Sequence, residues 1–109
     1  MEGFRAGGAM ADAALVILNG EFEGMRYPLN AEETLIGRNP TTDVTLLDEN
    51  ISREHALILL DPESGSYTIE DLQSTNGTKV NGKGVRSQAL HHGDEIQVGH
   101  TIFRFECGG

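Results

Sequence analysis

The sequence predicts an all-β domain, and three observations lead to this prediction. Short apolar runs alternate with turn residues along nearly the whole chain. Gly is abundant, with 14 among 109 residues, and many glycines stand beside Asn, Asp or Lys, where turns form. No window of about 11 residues carries apolar residues at the three- and four-residue spacing of a helix. Roughly ten short strands at close spacing indicate a sandwich or a barrel.

The first strands are short apolar runs bounded by turn residues. Ala14–Leu18 ends at Asn19-Gly20, a favoured turn pair, and its Val and Ile favour a buried strand over a helix. Met25–Leu29 is its expected partner. Pro28 places that partner at a sheet edge, because proline cannot donate to a central ladder. Two more strands are predicted in this half, at Thr34–Arg38 and Val44–Leu46.

The second half of the chain contains the clearest strand, His55–Leu60, which ends at a turn-rich segment. In Ser66–Asp71, apolar and polar residues alternate, which puts Tyr67 and Ile69 on one face. Asn81-Gly82 after Thr78–Val80 is a strong hairpin signal, with Val85 beyond it. The last predicted strands are one in which Ile96 and Val98 alternate with polar residues, and Thr101–Glu106, where Phe103 and Phe105 share a face.

Length and composition predict one domain and exclude several classes of function. Residues 1–12 are Gly- and Ala-rich without a period and are predicted as an N-terminal tail; residues 13–106 form the domain, and residues 107–109 a C-terminal tail. Eight basic against 17 acidic residues give a net charge of −9, which argues against nucleic acid and anionic membranes as partners. The single Cys107 excludes an internal disulfide and agrees with a cytoplasmic location. No apolar run approaches the roughly 20 residues of a membrane span.

Three polar segments carry more chemistry than turns require: Gly37–Asn39, Ile51–His55 and Ser74–Thr78. Each lies at the end of a predicted strand, where the loops of a rigid scaffold can converge. Arg38 and Arg53 offer planar guanidinium groups that match phosphate oxygens. Hydroxyls and a carboxamide add neutral groups suited to an oxyanion and an extended peptide. The segments contain no obvious base–nucleophile pair.

The order of these motifs resembles the signature of the forkhead-associated (FHA) domain family. Gly-Arg, Ser-Arg-x-His, Ser-Thr-Asn-Gly-Thr and Val-Asn-Gly follow one another at matching separations, and Leu90–Gly99 resembles a later family strand. The resemblance covers about Leu15 to Phe105. It implies a single β-sandwich of about eleven strands with ligand-binding loops at one end. It also implies a phosphothreonine-dependent binding module of Ser/Thr kinase signalling, neither enzyme nor cofactor protein, which could belong to a larger multidomain protein.

The resemblance also assigns roles to individual positions. Arg38 and Ser52 would contact the phosphate, and Arg53, at a variable position, would add a further contact. Thr75 would help to accept the threonine methyl group, and Asn76 would hydrogen-bond the peptide backbone. The expected supports of the site, which do not touch ligand, are Gly37, His55 and Gly77. Asn50 lies where family members select the third residue after the phosphothreonine, and its neutrality implies no demand for an acidic residue.

Other interpretations of the same residues exist. Arg38 alone could be a surface residue paired with Glu32 or Asp43. Ser52, His55 and Asp71 could suggest a hydrolase, but a Ser three residues before a His gives no reason for a nucleophile–base bond. The remaining histidines, His91, His92 and His100, lack metal-ligand spacing and are expected in turns and on the surface. The main competing function is a structural or assembly sandwich that does not depend on phosphate.

Overall fold

The computed structural model describes residues 13–108, so the predicted N-terminal tail and Gly109 lie outside the described residues. Eleven strands and no helix make up the part of the chain that it describes. The strands are β1 Ala13–Ile17, β2 Arg26–Pro28, β3 Glu33–Gly37, β4 Val44–Thr45, β5 Ala56–Leu60, β6 Tyr67–Asp71, β7 Thr78–Val80, β8 Lys83–Val85, β9 Ser87–Leu90, β10 Glu95–Val98 and β11 Thr101–Cys107.

The strands form two sheets that pack as a sandwich. A six-stranded sheet has the order β2-β1-β11-β10-β7-β8, and a five-stranded sheet has the order β4-β3-β5-β6-β9. Neighbouring strands are antiparallel except for the short pair β3 and β4. Of the two architectures left open by the strand spacing, the structure is the sandwich.

The core lies between the sheets and is built from the predicted alternation. Tyr67 and Ile69 of β6 are 2% and 0% exposed, and Phe103 and Phe105 of β11 are 0% and 1% exposed, so both shared-face predictions are confirmed. The rings of Tyr67 and Phe105 meet edge to face across the core, with centroids 5.3 Å apart. Burying side chains of this size stabilises the fold by roughly 1.5–3 kcal/mol each.

Two local predictions are confirmed by the backbone. Asn81 and Gly82 have φ angles of 53° and 84°, the left-handed pair that a tight hairpin turn requires, and they join β7 to β8. Pro28 lies in β2, at the edge of the six-stranded sheet.

The structure also contains elements that the pattern did not predict. Three of the four residues of β9 are exposed, so this edge strand has almost no apolar alternation to reveal it. β11 extends one residue beyond the predicted strand Thr101–Glu106, because Cys107 pairs with Ala13 of β1. Within residues 13–108, no helix is long and apolar enough to cross a membrane.

Candidate functional site

Hydrogen bonds bring the three predicted polar segments together at one end of the sandwich. The Arg38 amide donates to the Ser52 carbonyl at 3.1 Å, which joins the end of β3 to the loop before β5. The Thr75 amide donates to the Ser52 hydroxyl at 3.0 Å, and the Asn76 Nδ2 donates to the Asn50 carbonyl at 2.8 Å. The structure therefore gathers Arg38, Ser52 and Asn76 at one end, although they come from three separate connections.

Gly37 permits the close approach of two of these segments. A Cβ atom at this position would lie only 2.0 Å from the Arg53 carbonyl oxygen, far inside van der Waals contact. The same carbonyl accepts a hydrogen bond from the Asn39 amide at 3.2 Å. Only glycine lets the backbone after β3 pack directly against the backbone that carries Arg53.

His55 joins the second segment to the third from inside the fold. Its side chain is fully buried, and its Nδ1 accepts a hydrogen bond from the Ser52 amide at 3.1 Å. Because Nδ1 is an acceptor, Nε2 carries the hydrogen and donates to the Gly77 carbonyl at 2.8 Å. His55 and Gly77 thus hold two loops in a fixed relation, a geometry suited to the supporting roles that the resemblance implies.

Asp71, at the end of β6, organises the third segment. Its Oδ1 accepts hydrogen bonds from the hydroxyls of Ser74 and Thr78 at 2.5 and 2.7 Å, and its Oδ2 accepts the Ser74 amide at 3.1 Å. Burial opposes ionisation of this carboxylate, but the hydrogen bonds outweigh burial and lower its pKa. This network was not predicted from the sequence; the available signal was an Asp followed within a few residues by Ser and Thr, because an Asp side chain commonly binds residues a few positions ahead in a turn.

Two arginines line a cavity of about 240 Å³ on this end, together with Asn39 and Pro40. Arg38 is exposed, and its Nε donates to the Ile51 carbonyl at 3.1 Å, which orients the guanidinium group. Arg38 forms no ion pair with Glu32 or Asp43. Arg38 and Arg53 therefore present cationic forks to a common space, an arrangement suited to an anion.

The Ser52 hydroxyl accepts one hydrogen bond from the protein, and no hydrogen bond joins it to the His55 side chain. Its oxygen already accepts the Thr75 amide, so its hydrogen remains to be donated outward. His55 receives the backbone amide of Ser52 and not its hydroxyl. Since Asp71 is bonded to Ser74 and Thr78, these residues do not form a Ser–His–Asp chain.

A second, polar cavity of about 270 Å³ adjoins Asn76 and is lined also by Asn50, Lys79, Gln97 and His100. Asp48 fixes two of the residues that line this cavity. Its carboxylate accepts hydrogen bonds from the backbone amides of Asn50 and His100, each at 2.9 Å, and these bonds lower the pKa of Asp48. His100 is exposed, as predicted for a turn residue, but its place in this cavity was not foreseen. The β10–β11 turn that carries His100 is far from the loop 48–51 in the sequence and meets it only in the folded structure.

This end of the molecule combines two guanidinium groups, a hydroxyl hydrogen and a carboxamide on a rigid β-scaffold. Such a set on a β-sandwich is suited to a module that recognises a phosphorylated side chain on an extended chain. The sequence model of the FHA domain matches residues 34–99, more than half of the chain. The chain belongs to the FHA domain family.

Individual relatives agree with this assignment. The glycogen accumulation regulator GarA of Mycolicibacterium smegmatis is 39% identical over 108 residues, 99% of this chain, and the chain spans 65% of that relative's length. EmbR of Mycobacterium tuberculosis, solved with a low-affinity phosphopeptide, superposes with a TM-score of 0.83 at 36% identity over 96% of this chain and 27% of its own. An FHA domain solved in a study of phosphothreonine-dependent interactions gives a TM-score of 0.81 at 32% identity, over 89% of this chain and 97% of its own.

Proposed function

We propose that this domain binds proteins phosphorylated on threonine by Ser/Thr kinases, and that it does so in the cytoplasm. The observation that supports this most directly is the convergence of Arg38, Ser52 and Asn76 at one end of the sandwich. The proposed ligand contacts are Arg38, Ser52, Arg53, Thr75 and Asn76, with Gly37, His55 and Gly77 as supports. The domain carries out recognition and no chemical reaction.

The phosphate occupies the space between Arg38 and Arg53 and receives the hydroxyl hydrogen of Ser52. A phosphothreonine brings about −1.5 to −2 charges at pH 7. Each hydrogen bond to such a group contributes roughly 1.5–3 kcal/mol, and three or four can form. The net charge of −9 opposes binding of the phosphate only weakly, since physiological salt screens exposed charges beyond about 8 Å. The acidic surface therefore mainly slows encounter.

Asn76 holds the backbone of the bound peptide. Its bond to the Asn50 carbonyl uses one amide hydrogen and orients the side chain before ligand arrives. The carboxamide oxygen and the second hydrogen can then pair with one peptide unit. The Thr75 amide is bonded to the Ser52 hydroxyl, which supports Thr75 as the expected neighbour of the threonine methyl group.

Isothermal titration with matched phosphothreonine and unphosphorylated peptides tests this function. We expect binding only of the phosphorylated form, and at least tenfold weaker binding to Arg38→Ala with the fold intact. Arg104→Ala is the matched control, because it removes the same charge from an exposed residue in the middle of β11 that lines neither cavity at this end. Equal affinity of the two peptides would support the competing phosphate-independent assembly domain. Equal affinity of wild type and Arg38→Ala would refute the assigned site.

A further inference from the structure

The exposed large apolar side chains within residues 13–108 are concentrated in one groove. Phe22, Met25 and Leu47 are 61%, 47% and 90% exposed, and all three line the same depression of about 480 Å³. Phe22 and Met25 come from the β1–β2 connection, whereas Leu47 follows β4 in the other sheet. Exposed apolar residues that gather from distant segments mark an interaction surface more often than scattered ones do.

The fold itself does not require apolar side chains at these positions. Backbone bonds hold the β1–β2 connection: the Gly24 amide donates to the Ile17 carbonyl at 2.7 Å, and the Met25 amide donates to the Phe22 carbonyl at 3.0 Å. A polar side chain at position 22 would serve this backbone equally well, and Leu47, which is 90% exposed, buries little of its side chain in the fold. An occupant of the groove would account for their apolar character.

The groove has an acidic rim. Glu21 and Asp48 line it, and Glu23 and Glu49 are their near neighbours in the chain. Within residues 13–108, neither Glu21, Glu23 nor Glu49 forms an ion pair. An occupant that places apolar side chains in the groove and Lys or Arg beside them would match both features.

The groove is continuous with the proposed phosphopeptide site. His100 lines both the groove and the polar cavity that contains Asn50 and Asn76. Asp48 lines the groove and holds the backbone of Asn50, whose carbonyl in turn orients Asn76. A single partner can therefore occupy both surfaces at once.

We propose that the groove docks an apolar segment, flanked by Lys or Arg, of the same partner protein that presents the phosphothreonine. This proposal rests on the proposed function. Binding of the partner requires the phosphate, whereas the groove adds affinity and selects among phosphorylated partners. The second contact is intramolecular once the first has formed, so even a weak apolar contact yields a large gain.

Synthetic tethered peptides test the proposal. A phosphothreonine segment is joined by a flexible Gly/Ser linker to a Lys-Leu-Lys-Phe-Lys segment, in both orders, and is compared with the phosphothreonine segment alone. In a control version Ala replaces the Leu and Phe, which keeps the positive charge. We expect the apolar version to bind the wild-type domain at least tenfold more tightly than the Ala version in one order. Amide shifts in residues 20–25 and 46–48 should accompany that binding in NMR spectra.

Variants of the groove separate the proposal from its alternatives. Leu47→Glu and Phe22→Ser should each abolish the gain while binding the phosphothreonine segment alone within twofold of wild type. No gain over the Ala version in either order, or a gain retained in Leu47→Glu, overturns the proposal. Concentration-dependent dimerisation lost in Leu47→Glu would assign the groove to a second copy, and NMR contacts of residues 1–12 with Leu47 would assign it to this chain; both overturn the proposal.

The two proposals fail in different measurements. Absence of binding by the phosphothreonine segment alone counts against the proposed function. The ratio between the apolar and Ala versions reports on the groove, whatever the affinity of the phosphorylated part.

Discussion

Replacing His55 by Ala should damage both stability and ligand binding, because this imidazole is the internal link between two loops of the proposed binding site. The substitution removes two hydrogen bonds, from the Ser52 amide and to the Gly77 carbonyl. It also empties a site where the side chain is 0% exposed. Among the described residues, neither of these two backbone groups has a second hydrogen-bond partner.

The magnitude follows from these contacts. Two hydrogen bonds contribute about 1–3 kcal/mol together, and a buried group left unsatisfied costs about 1–3 kcal/mol. Ser52 and Gly77 are only half-buried, so water can replace part of the loss. We therefore expect His55→Ala to lower the free energy of unfolding by about 2–4 kcal/mol. For a domain of this length, that corresponds to a fall in Tm on the order of 10–20 °C.

Urea denaturation and peptide titration of two variants measure this effect. His55→Ala should lose stability, and it should also bind phosphothreonine peptide more weakly at temperatures where it remains folded. Arg38→Ala should lose binding but less than about 1 kcal/mol of stability, since its side chain is exposed and makes one hydrogen bond. A His55→Ala domain that unfolds within about 1 kcal/mol of wild type and keeps its affinity would refute the reasoning.

Two further predictions concern the backbone at Gly37 and the half-buried carboxylate of Asp71. Gly37→Ala should destabilise the domain by about 1–3 kcal/mol, because the new Cβ meets the Arg53 carbonyl. Gly84→Ala is the control and should change stability little, because a Cβ there has open space. Equal midpoints of urea denaturation for the two variants would contradict this prediction. Asp71→Asn should lower stability by about 1–2 kcal/mol at pH 7. The folded pKa of Asp71 is lowered, so its contribution is present above the pKa of the unfolded chain and is lost as pH falls through the folded pKa. The difference between wild type and Asp71→Asn should therefore shrink in acid, and a difference that is constant with pH would contradict the assignment.

Most of the fold could be predicted because its core strands carry an apolar pattern. Tyr67 and Ile69 alternate with polar neighbours, and their burial follows from that alternation. β9 could not be predicted in this way, because an edge strand exposes most of its side chains and has no pattern to show.

The candidate functional surfaces were likewise predictable from the sequence only in part. Arg38, Ser52 and Asn76 were identified because they stand in short motifs with recognisable spacing. The groove was not identified, since Phe22 and Leu47 lie 25 positions apart and become neighbours only when the two sheets pack. Contacts that depend on tertiary packing leave no local signal in one sequence.

The pairing of β1 with β11 has a consequence for how the domain can be joined to other protein segments. Ala13 and Cys107 are directly opposite each other, while the other end of β11 starts beside His100, at the binding loops. Seven strand residues separate these ends by about 20 Å, at roughly 3.3 Å per residue. A tether attached at Ala13 or Cys107 therefore leaves the domain from the pole opposite the proposed binding loops.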